Sequence, residues 1–589
     1  MNLELLANET ILELFEYLSI DDLFHGFYNL NSRFNNLLTR QFKKFRLDLQ
    51  LLSKTKCTDI CENIVPLVID QIISLRLSND DNTPGEMKLF LSQSYQLRQF
   101  THLQSIALKN ILSVDELNQL MIECTYLPHL TYLSIYIDSM LLSVSDADHL
   151  YSQIWNLKSL THCFIDIETR YEIYLPKLIF ISTSLKNLTD HWKARSLSTL
   201  NYLFENTPNL EYLSIKFDGR SDQLGTITPM LSLTRAKIFF RYGSIDILEH
   251  FLQYMPNLSH LILDLYEFYV DGHEWEEIIH KYLLKLKVFQ FTASFTFYDG
   301  EKHTMTEDEI IDTYRTKFWI EERQWFVQCD FNNSNEFQIA CFDLFTLPYN
   351  FNRYFYRHYH LSSASTNPYN DDYLVFDRVK YLIYEYKFPP CNIHFPNIRW
   401  LSLSIPFNDK FFTVISKFDR LNSLYININY TLFDDSVAPQ LQLIVNQAPH
   451  LRLLGLRLWE QLNDRTLLKE ITSNSIRQLI LQTYGRAGSY NDEECTDLIH
   501  TPLGRQCETL SIKTKNRKNI LDLINMMPNL QALNVECDDD TLSRRYMGDE
   551  TLQDNKNDEL IEWLQNQLPS TFIIRRYTFY DYTIRIWIR

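Results

Sequence analysis

One short phrase recurs along the chain and constrains its fold more than any other feature. It reads Pro, then Asn or His, then Leu or Ile, two residues, Leu, one residue and an apolar residue, and it begins at Pro128, Pro208, Pro256, Pro396, Pro449 and Pro528. Without the proline it returns around Leu103, Leu160, Leu185, Leu233, Leu283, Leu421, Ile476 and Cys507. Successive copies start 23 to 31 residues apart on either side of one long interruption. Self-similarity at this period is typical of a stack of small structural units.

Each copy of the phrase predicts a helix followed by a strand. Before Pro128, apolar residues step by three or four, at Leu117, Leu120, Met121 and Cys124, which is the spacing of a helix. The proline then ends the helix, and Leu133 and Ile135 begin the two-residue alternation of a strand. We therefore expect an α/β fold with a parallel sheet on a concave face and helices outside.

The phase of the repeat also predicts the domain organisation. The phrase is lost between Leu283 and Ile398, so we expect a first array over 60–290 and an atypical strand-rich segment over 291–378. A second array with a C-terminal cap would occupy 379–589. Within the atypical segment, Phe318-Trp319-Ile320 and Trp325-Phe326-Val327 are predicted to be strands, since each is a short apolar run.

Composition and motifs exclude several functions. The net charge is −18, with 56 Lys and Arg against 74 Asp and Glu, so no nucleic-acid partner is expected. The chain has only 12 glycines and none of the motifs GxxxxGK[ST], GxSxG and HExxH, so we predict no catalytic site, cofactor or metal. Ten cysteines without a CxxC pair, no basic leader and no long apolar run predict a cytoplasmic or nuclear protein without a membrane partner.

The first 48 residues predict a separate helical module. Ile11, Leu12 and Phe15 recur at helical spacing, and Ser19 precedes two aspartates as the N-cap of a second helix. A third helix is expected around Phe34. A unit of this size buries too little apolar surface to be stable alone. We therefore expect it to dock on the rest of the chain and on a partner.

This module resembles the F-box family. The resemblance lies in four elements in the family's order, Leu6-Ala7-Asn8-Glu9, Ile11 to Leu18, Ser19 with Asp22-Leu23, and Leu30-Asn31-Ser32-Arg33-Phe34. Ala7 stands where the family usually has proline, and the interval from Leu23 to Leu30 is about one residue longer. The repeats that follow likewise resemble the degenerate leucine-rich repeats found behind F-boxes.

The F-box resemblance implies a partner and a set of binding residues. F-boxes bind the Skp adaptor of SCF-type cullin-RING ubiquitin ligases. The matching positions here are Leu6, Glu9, Ile11, Leu12, Phe15, Leu18, Leu23 and Phe34. The alternative for each apolar member is a purely internal position, because helical stripes usually face a core.

The repeats predict a second surface, for a target protein. Side chains between the strand leucines point away from the core because they alternate along a strand. The residues expected to bind an unknown target on the concave face are Tyr132, His162, Phe164, Tyr212, His260, Trp400 and Tyr425. Aromatic residues supply many binding hot spots, although they also stack on one another for stability.

Three functions remain open from the sequence. The first is a substrate-recognition adaptor of an SCF ubiquitin ligase, whose F-box holds the Skp adaptor while the repeats hold a target. The second is a scaffold that binds the Skp adaptor without ligase function. The third is a ligand-sensing array whose pocket completes a target surface. An enzyme is expected only if the atypical segment forms its own domain with a pocket.

Overall fold

The computed structural model describes most of the chain. The described residues are 3–50, 52–93, 96–138, 143–167, 181–195, 197–219, 228–297, 305–334, 339–356, 360–368, 374–384, 393–407, 411–428, 437–459, 467–484, 488–540, 558–577 and 583–589. The fold is mixed α/β with large parallel sheets. The α/β class and the parallel sheets agree with what the sequence predicts.

Helices and strands alternate along most of the described chain. The helices are α1 (Asn8–Phe15), α2 (Ile20–Phe27), α3 (Ser32–Asn36), α4 (Lys54–Asp59), α5 (Val65–Val68), α6 (Glu86–Ser92), α7 (Val114–Cys124), α8 (Val144–Trp155), α9 (Leu197–Asn206), α10 (Ile245–Leu252), α11 (Gly272–Tyr282), α12 (Glu307–Asp312), α13 (Phe411–Val414), α14 (Val437–Gln447), α15 (Leu467–Glu470), α16 (Asp492–His500), α17 (Pro502–Gln506), α18 (Arg517–Met526) and α19 (Glu559–Gln567). Short 3-10 or π-helical turns lie at Leu3–Leu5, Leu37–Gln41, Ile60–Ile64, Ile69–Gln71, Leu97–Gln99 and Phe318–Arg323.

The strands follow the same order. They are β1 (Phe45–Asp48), β2 (Ile72–Ser78), β3 (Ser105–Lys109), β4 (Tyr132–Ile137), β5 (His162–Ile167), β6 (Asn187–Arg195), β7 (Tyr212–Asp218), β8 (Arg235–Arg241), β9 (His260–Tyr266), β10 (Val288–Phe297), β11 (Phe326–Ser334), β12 (Ile339–Leu347), β13 (Arg353–Tyr356), β14 (His360–Ser365), β15 (Leu374–Val375), β16 (Tyr381–Tyr384), β17 (Ile393–His394), β18 (Trp400–Ile405), β19 (Ser423–Ile428), β20 (Leu453–Trp459), β21 (Gln478–Tyr484), β22 (Thr509–Thr514), β23 (Ala532–Cys537), β24 (Ile573–Arg576) and β25 (Ile584–Trp587).

Two compact units divide the chain. The first comprises Met1–Leu261, Tyr282–Lys287 and Arg589, and the second comprises Ile262–Lys281 and Val288–Ile588. In the first unit, β1 to β8 pair in sequence order and each pair is parallel. A column of buried side chains crosses this sheet at Leu75, Ile106, Leu133, Cys163, Leu188, Leu213 and Ala236. The column places the hydrophobic core on one face of the sheet.

The helices bury the faces that the sequence predicts. Helix α7 buries Leu117, Leu120, Met121 and Cys124, which confirms the predicted helical stripe. Its first turn carries Asp115 and Glu116, and Ser113 caps it by accepting a hydrogen bond from the Glu116 N–H. Acidic residues and a serine cap both stabilise a helix N-terminus. The apolar stripe then packs against the sheet's core face.

The second unit contains a parallel sheet and an antiparallel one. Its parallel sheet runs β13, β16, β18, β19, β20, β21, β22 and β23, and β25 and β24 then close it in antiparallel pairing. The antiparallel strands β10, β12, β11 and β14 lie side by side in that order. The predicted strand Trp325-Phe326-Val327 begins β11, but the predicted strand at Phe318-Trp319-Ile320 is wrong. Those residues form a π-helical turn, in which Trp319 is fully buried and its Nε1–H donates to the Gly272 carbonyl at 2.9 Å.

The Asn of the recurring phrase has a repeated structural role. Its side-chain amide donates a hydrogen bond to a carbonyl of the preceding repeat, two residues before that repeat's first apolar position. The pairs are Asn209 to Thr183 at 2.7 Å, Asn257 to Leu231 at 2.7 Å, Asn397 to Asp377 at 2.9 Å and Asn529 to Arg505 at 2.7 Å. Ser159 and Ser232 donate from the same position to Pro128 and Pro208, at 2.7 and 2.8 Å. We call these six side chains the rung residues.

We expect the substitution Asn209→Ala to lower the free energy of unfolding by about 1 kcal/mol, because one inter-repeat hydrogen bond is lost. Asn209→Ser should lower it less, since Ser159 and Ser232 make the same contact elsewhere. Urea unfolding of the three proteins measures the difference. An alanine variant as stable as the wild type would show that the rung contacts do not contribute to stability.

Candidate functional site

The N-terminal module has an aromatic interior. Phe15 packs edge-on against Phe27 and Phe42, with ring centroids 5.1 and 5.8 Å apart, and Phe27 lies 5.5 Å from Phe34. Phe42 in turn contacts Phe45 of β1 at 4.8 Å. The module is therefore joined to the first strand of the sheet by one continuous aromatic cluster.

This interior corrects half of the predicted adaptor-binding residues. Ile11, Phe15, Leu23 and Phe34 are at most 2% exposed, so they cannot contact a partner in this conformation, and for them the internal alternative holds. Leu6 and Leu12 are half-buried, and Glu9 and Leu18 are exposed. These last four remain available for binding.

The same module exposes apolar side chains that the sequence reading missed. Tyr17 is 87% exposed and Leu5 is 84% exposed. Among the described residues of the module, the exposed large apolar ones are Leu3, Leu5, Leu14, Tyr17, Leu18 and Leu30, which we call the module surface. Leu14 lies in the last turn of α1, and Tyr17 and Leu18 lie in the turn that follows it, where their amides donate to the carbonyls of Leu14 and Phe15. These three residues were visible in the sequence, but the stronger stripe of Ile11 and Phe15 obscured them.

Arg33 holds the start of the chain against α3. Its Nε–H donates to Asn8 Oδ1 at 2.9 Å, its Nη1 to the Glu4 carbonyl at 2.6 Å and its Nη2 to the Leu6 carbonyl at 2.5 Å. Asn31 adds a bond from Nδ2 to Glu4 Oε1 at 2.9 Å. Hydrogen bonds from a cation are stronger than neutral ones. Arg33 therefore fixes the segment that presents Leu5.

The residues predicted to bind a target in the first unit lie on the sheet face opposite the core, which we call the strand face. Tyr132 and His162 are in register on β4 and β5, with rings 6.5 Å apart, and both are exposed. Half-buried Tyr212 has the Arg235 guanidinium 5.5 Å from its ring centroid. His260 is exposed at the start of β9. The structure does not join these residues into one pocket, and their role in target binding stays a prediction.

Phe164 belongs to a polar cluster on the same face. Its ring lies 6.1 Å from His191, whose Nε2 is 2.8 Å from Ser214 Oγ. His191 Nδ1 is 3.6 Å from Asp166 Oδ2, and Lys216 Nζ is 3.5 Å from Asp166 Oδ1. Burial raises the pKa of the Asp166 carboxyl, but the hydrogen bond from His191 and the charge of Lys216 outweigh it and hold that pKa below its usual value.

Serine, histidine and aspartate in series is the arrangement of serine hydrolases. Here Ser214 is only 1% exposed, so a substrate cannot reach its hydroxyl. Strand β7 is also paired on both sides, with β6 and β8, and its amides are used in the sheet instead of stabilising an oxyanion. The cluster therefore orders the side chains of the strand face and does not form a nucleophilic site.

In the second unit, Trp400 and Tyr425 belong to a row of stacked rings. Trp400 lies 6.3 Å from Tyr381 and 5.1 Å from Tyr425, centroid to centroid. Arg353 sits 5.6 Å from the centroid of Tyr381, and Arg457 sits 5.6 Å from that of Tyr425. These five side chains, from the adjacent strands β13, β16, β18, β19 and β20, are the aromatic row. Sequence alternation found Trp400 and Tyr425, but the other three required the strand register.

Gly455 allows the row to lie flat. It stands beside Tyr425 in the register of β19 and β20. A Cβ at this position would collide with Cδ1 and Cε1 of the Tyr425 ring. Glycine in a strand often marks such a close approach. The ring of Tyr425 therefore lies over the neighbouring backbone and reaches Arg457.

The described residues offer neither a reactive thiol among the cysteines considered below nor a group of metal ligands. Burial raises the pKa of Cys124 and of Cys507 to about 12, so both thiols stay protonated at neutral pH and are poor nucleophiles. Cys57 and Cys61 are fully buried together. Within the described ranges, no group of three His, Cys, Asp or Glu side chains is placed to hold a metal ion.

Comparison with known proteins adds no relative. No family model matches the sequence, and no curated protein matches it either. Among the helices in the described part of the chain, none has the length and apolar character needed to cross a membrane.

We expect the substitution Arg33→Gln to lower the free energy of local opening of residues 3–8 by about 2 kcal/mol, because hydrogen bonds from the guanidinium are lost. Hydrogen-exchange mass spectrometry should then show faster exchange of these amides, while α7 is unchanged. Arg40→Gln is the control, since Arg40 is an exposed arginine of the same module. Equal exchange in both variants would contradict the role given to Arg33.

Proposed function

We propose that the chain is a non-catalytic substrate-recognition adaptor of an SCF-type ubiquitin ligase. In this proposal the N-terminal module is an F-box that docks the Skp adaptor, and the leucine-rich repeats hold a target protein. The chain brings the two together, which raises the effective concentration of target lysines near the ubiquitin-carrying enzyme. It would act in the cytoplasm or nucleus.

The module surface is the observation that carries the proposal. A small helical module exposes Leu5, Tyr17 and Leu30 while its own core is already filled by phenylalanines. Several large apolar side chains exposed by one small module favour a role in binding a partner. They fall within the residues that resemble an F-box, and the family's Arg33 position fixes the segment bearing Leu5.

The repeats support the second half of the proposal. One face of each sheet is filled by leucine and isoleucine, and the other carries aromatic and charged side chains that the fold does not bury. Exposed aromatic and arginine side chains are the residue types most often found at binding hot spots. The covered Ser214 and the protonated buried thiols favour a binding role over a catalytic one.

Titration calorimetry of the full chain with purified Skp adaptor tests this function. We expect tight binding by the wild type and at least about tenfold weaker binding, near 1.4 kcal/mol, by the double variant Leu5→Lys/Tyr17→Lys. Lysines would place unpaired charges in an apolar contact. Leu231→Lys is the matched control, because Leu231 is an exposed leucine of the same unit outside the module.

Failure of the folded wild type to bind the adaptor would reject the proposal. A double variant that binds as well as the control would place the adaptor elsewhere on the chain. Adaptor binding without any ubiquitin transfer to captured proteins in a reconstituted ligase would favour the scaffold function instead.

A further inference from the structure

The aromatic row ends in two arginines that have no acidic partner in the part of the chain that the structure describes. Neither Arg353 nor Arg457 forms an ion pair there, and the Arg457 Nε–H is buried without a hydrogen-bond acceptor. Several other arginines of the unit are paired with a carboxylate, as Arg517 is with Glu559 at 2.6 Å. The positive charges of Arg353 and Arg457 are therefore not balanced by any described carboxylate, and an acidic ligand would balance them.

The N-terminal ends of the strands beside the row also carry positive charge. Lys380 and Arg399 immediately precede β16 and β18, and both are exposed and form no ion pair with any described residue. Further along, Arg452 and Arg477 share the single carboxylate of Glu508, at 3.6 and 3.4 Å. In a chain of net charge −18, this is a local concentration of positive charge. Such a patch attracts an acidic partner.

We infer that the aromatic row binds an extended acidic peptide segment of a partner protein. Two carboxylates of the segment would pair with Arg353 and Arg457, and an apolar side chain between them would pack on Trp400. A carboxylate would pair with the half-buried guanidinium of Arg457, which no described carboxylate balances. The inference rests on the proposed function in one respect, since it gives the chemistry of the target that the repeats hold.

The sheet sets the spacing of the two carboxylates. The two arginines stand on strands that are four strand intervals apart, β13 and β20. At about 4.8 Å per interval the row extends roughly 19 Å across the strands. Arg457 also stands four residues beyond Leu453, the residue of β20 that is level with Arg353, which adds roughly 13 Å along the strands. The diagonal is about 23 Å, and an extended peptide advances about 3.3 Å per residue, so the acidic residues should lie about seven residues apart.

A single-stranded nucleic acid is the other polyanion that binds arginines beside aromatic rings. It fits this row less well, because a guanidinium already lies over the rings of Tyr381 and Tyr425. A base would have to displace an arginine in order to stack there. The net charge of −18 also repels a long polyanion, whereas a short acidic segment meets only the local positive patch.

Fluorescence anisotropy with the full chain tests this inference. The probe is a fluorescein-labelled peptide with two glutamates about seven residues apart and a leucine midway, in a serine background. One comparison peptide has the same composition but glutamates two residues apart, and another has lysines in place of the glutamates. A polyuridylate oligonucleotide is the fourth ligand. We expect the widely spaced glutamate peptide to bind most tightly and to weaken as salt is raised.

Variants of the chain then locate the site. Arg353→Gln and Arg457→Gln should each weaken binding of this peptide by at least about fivefold, because each removes one charge-assisted contact. Gly455→Val should weaken it too, since the added side chain displaces Tyr425 while both charges stay in place. Arg505→Gln is the control, because Arg505 is an exposed arginine of α17, away from the strands of the row.

Equal affinity for the two glutamate peptides, or no effect of Arg457→Gln, would overturn the inference. So would tighter binding of polyuridylate than of any peptide. These peptide measurements do not involve the adaptor. Adaptor binding without peptide binding would therefore reject the inference alone, and peptide binding without adaptor binding would reject the proposed function alone.

Discussion

The rest of the structure depends on a hydrogen bond between consecutive repeats. Each rung residue donates from the position before a repeat's first apolar residue to a carbonyl of the preceding repeat, as Asn209 does to Thr183 and Asn529 to Arg505. Most of these carbonyls lie in the turns before a strand, and that of Arg505 lies in the last turn of α17, so they have no partner in a strand or helix ladder. The contact satisfies them and fixes how far each repeat is displaced from the last. Strand register then follows, and with it the buried column from Leu75 to Ala236.

Because of this register, the two faces of each sheet carry different kinds of side chain. One face is filled by leucine and isoleucine against the helices, and the other presents side chains in rows across many strands. A row such as Arg353, Tyr381, Trp400, Tyr425 and Arg457 gathers residues more than a hundred positions apart in sequence. The N-terminal module differs, because its helices bury an aromatic core and leave a separate apolar surface around Leu5 and Tyr17.

Local periodicity explains which parts of the fold were predictable. Helix α7 and the strand after it were readable because periods of 3.6 and 2 appear within a few residues. The strand predicted at Phe318-Trp319-Ile320 was wrong because a short apolar run does not distinguish a strand from a buried helical turn. Asparagine was visible in the recurring phrase, but its acceptor lies in the preceding repeat and only the structure identifies it.

The sites were predictable only in part, for related reasons. The module carries apolar side chains on more than one face, so sequence spacing did not separate the interior Phe15 from the exposed Tyr17. Strand alternation correctly placed Trp400 and Tyr425 outside the core. It did not give the neighbours Arg353 and Arg457, because these depend on which strands pair and in what register.

The central claim is that one chain carries two docking surfaces that are occupied at the same time. Sedimentation velocity of the full chain with excess Skp adaptor and the labelled, widely spaced glutamate peptide tests it most directly. The account predicts that the fluorescence sediments with a complex of chain and adaptor, and that the adaptor leaves the peptide's affinity within about twofold of its value on the chain alone. Displacement of the peptide by the adaptor would contradict the account, and so would peptide that sediments only with adaptor-free chain.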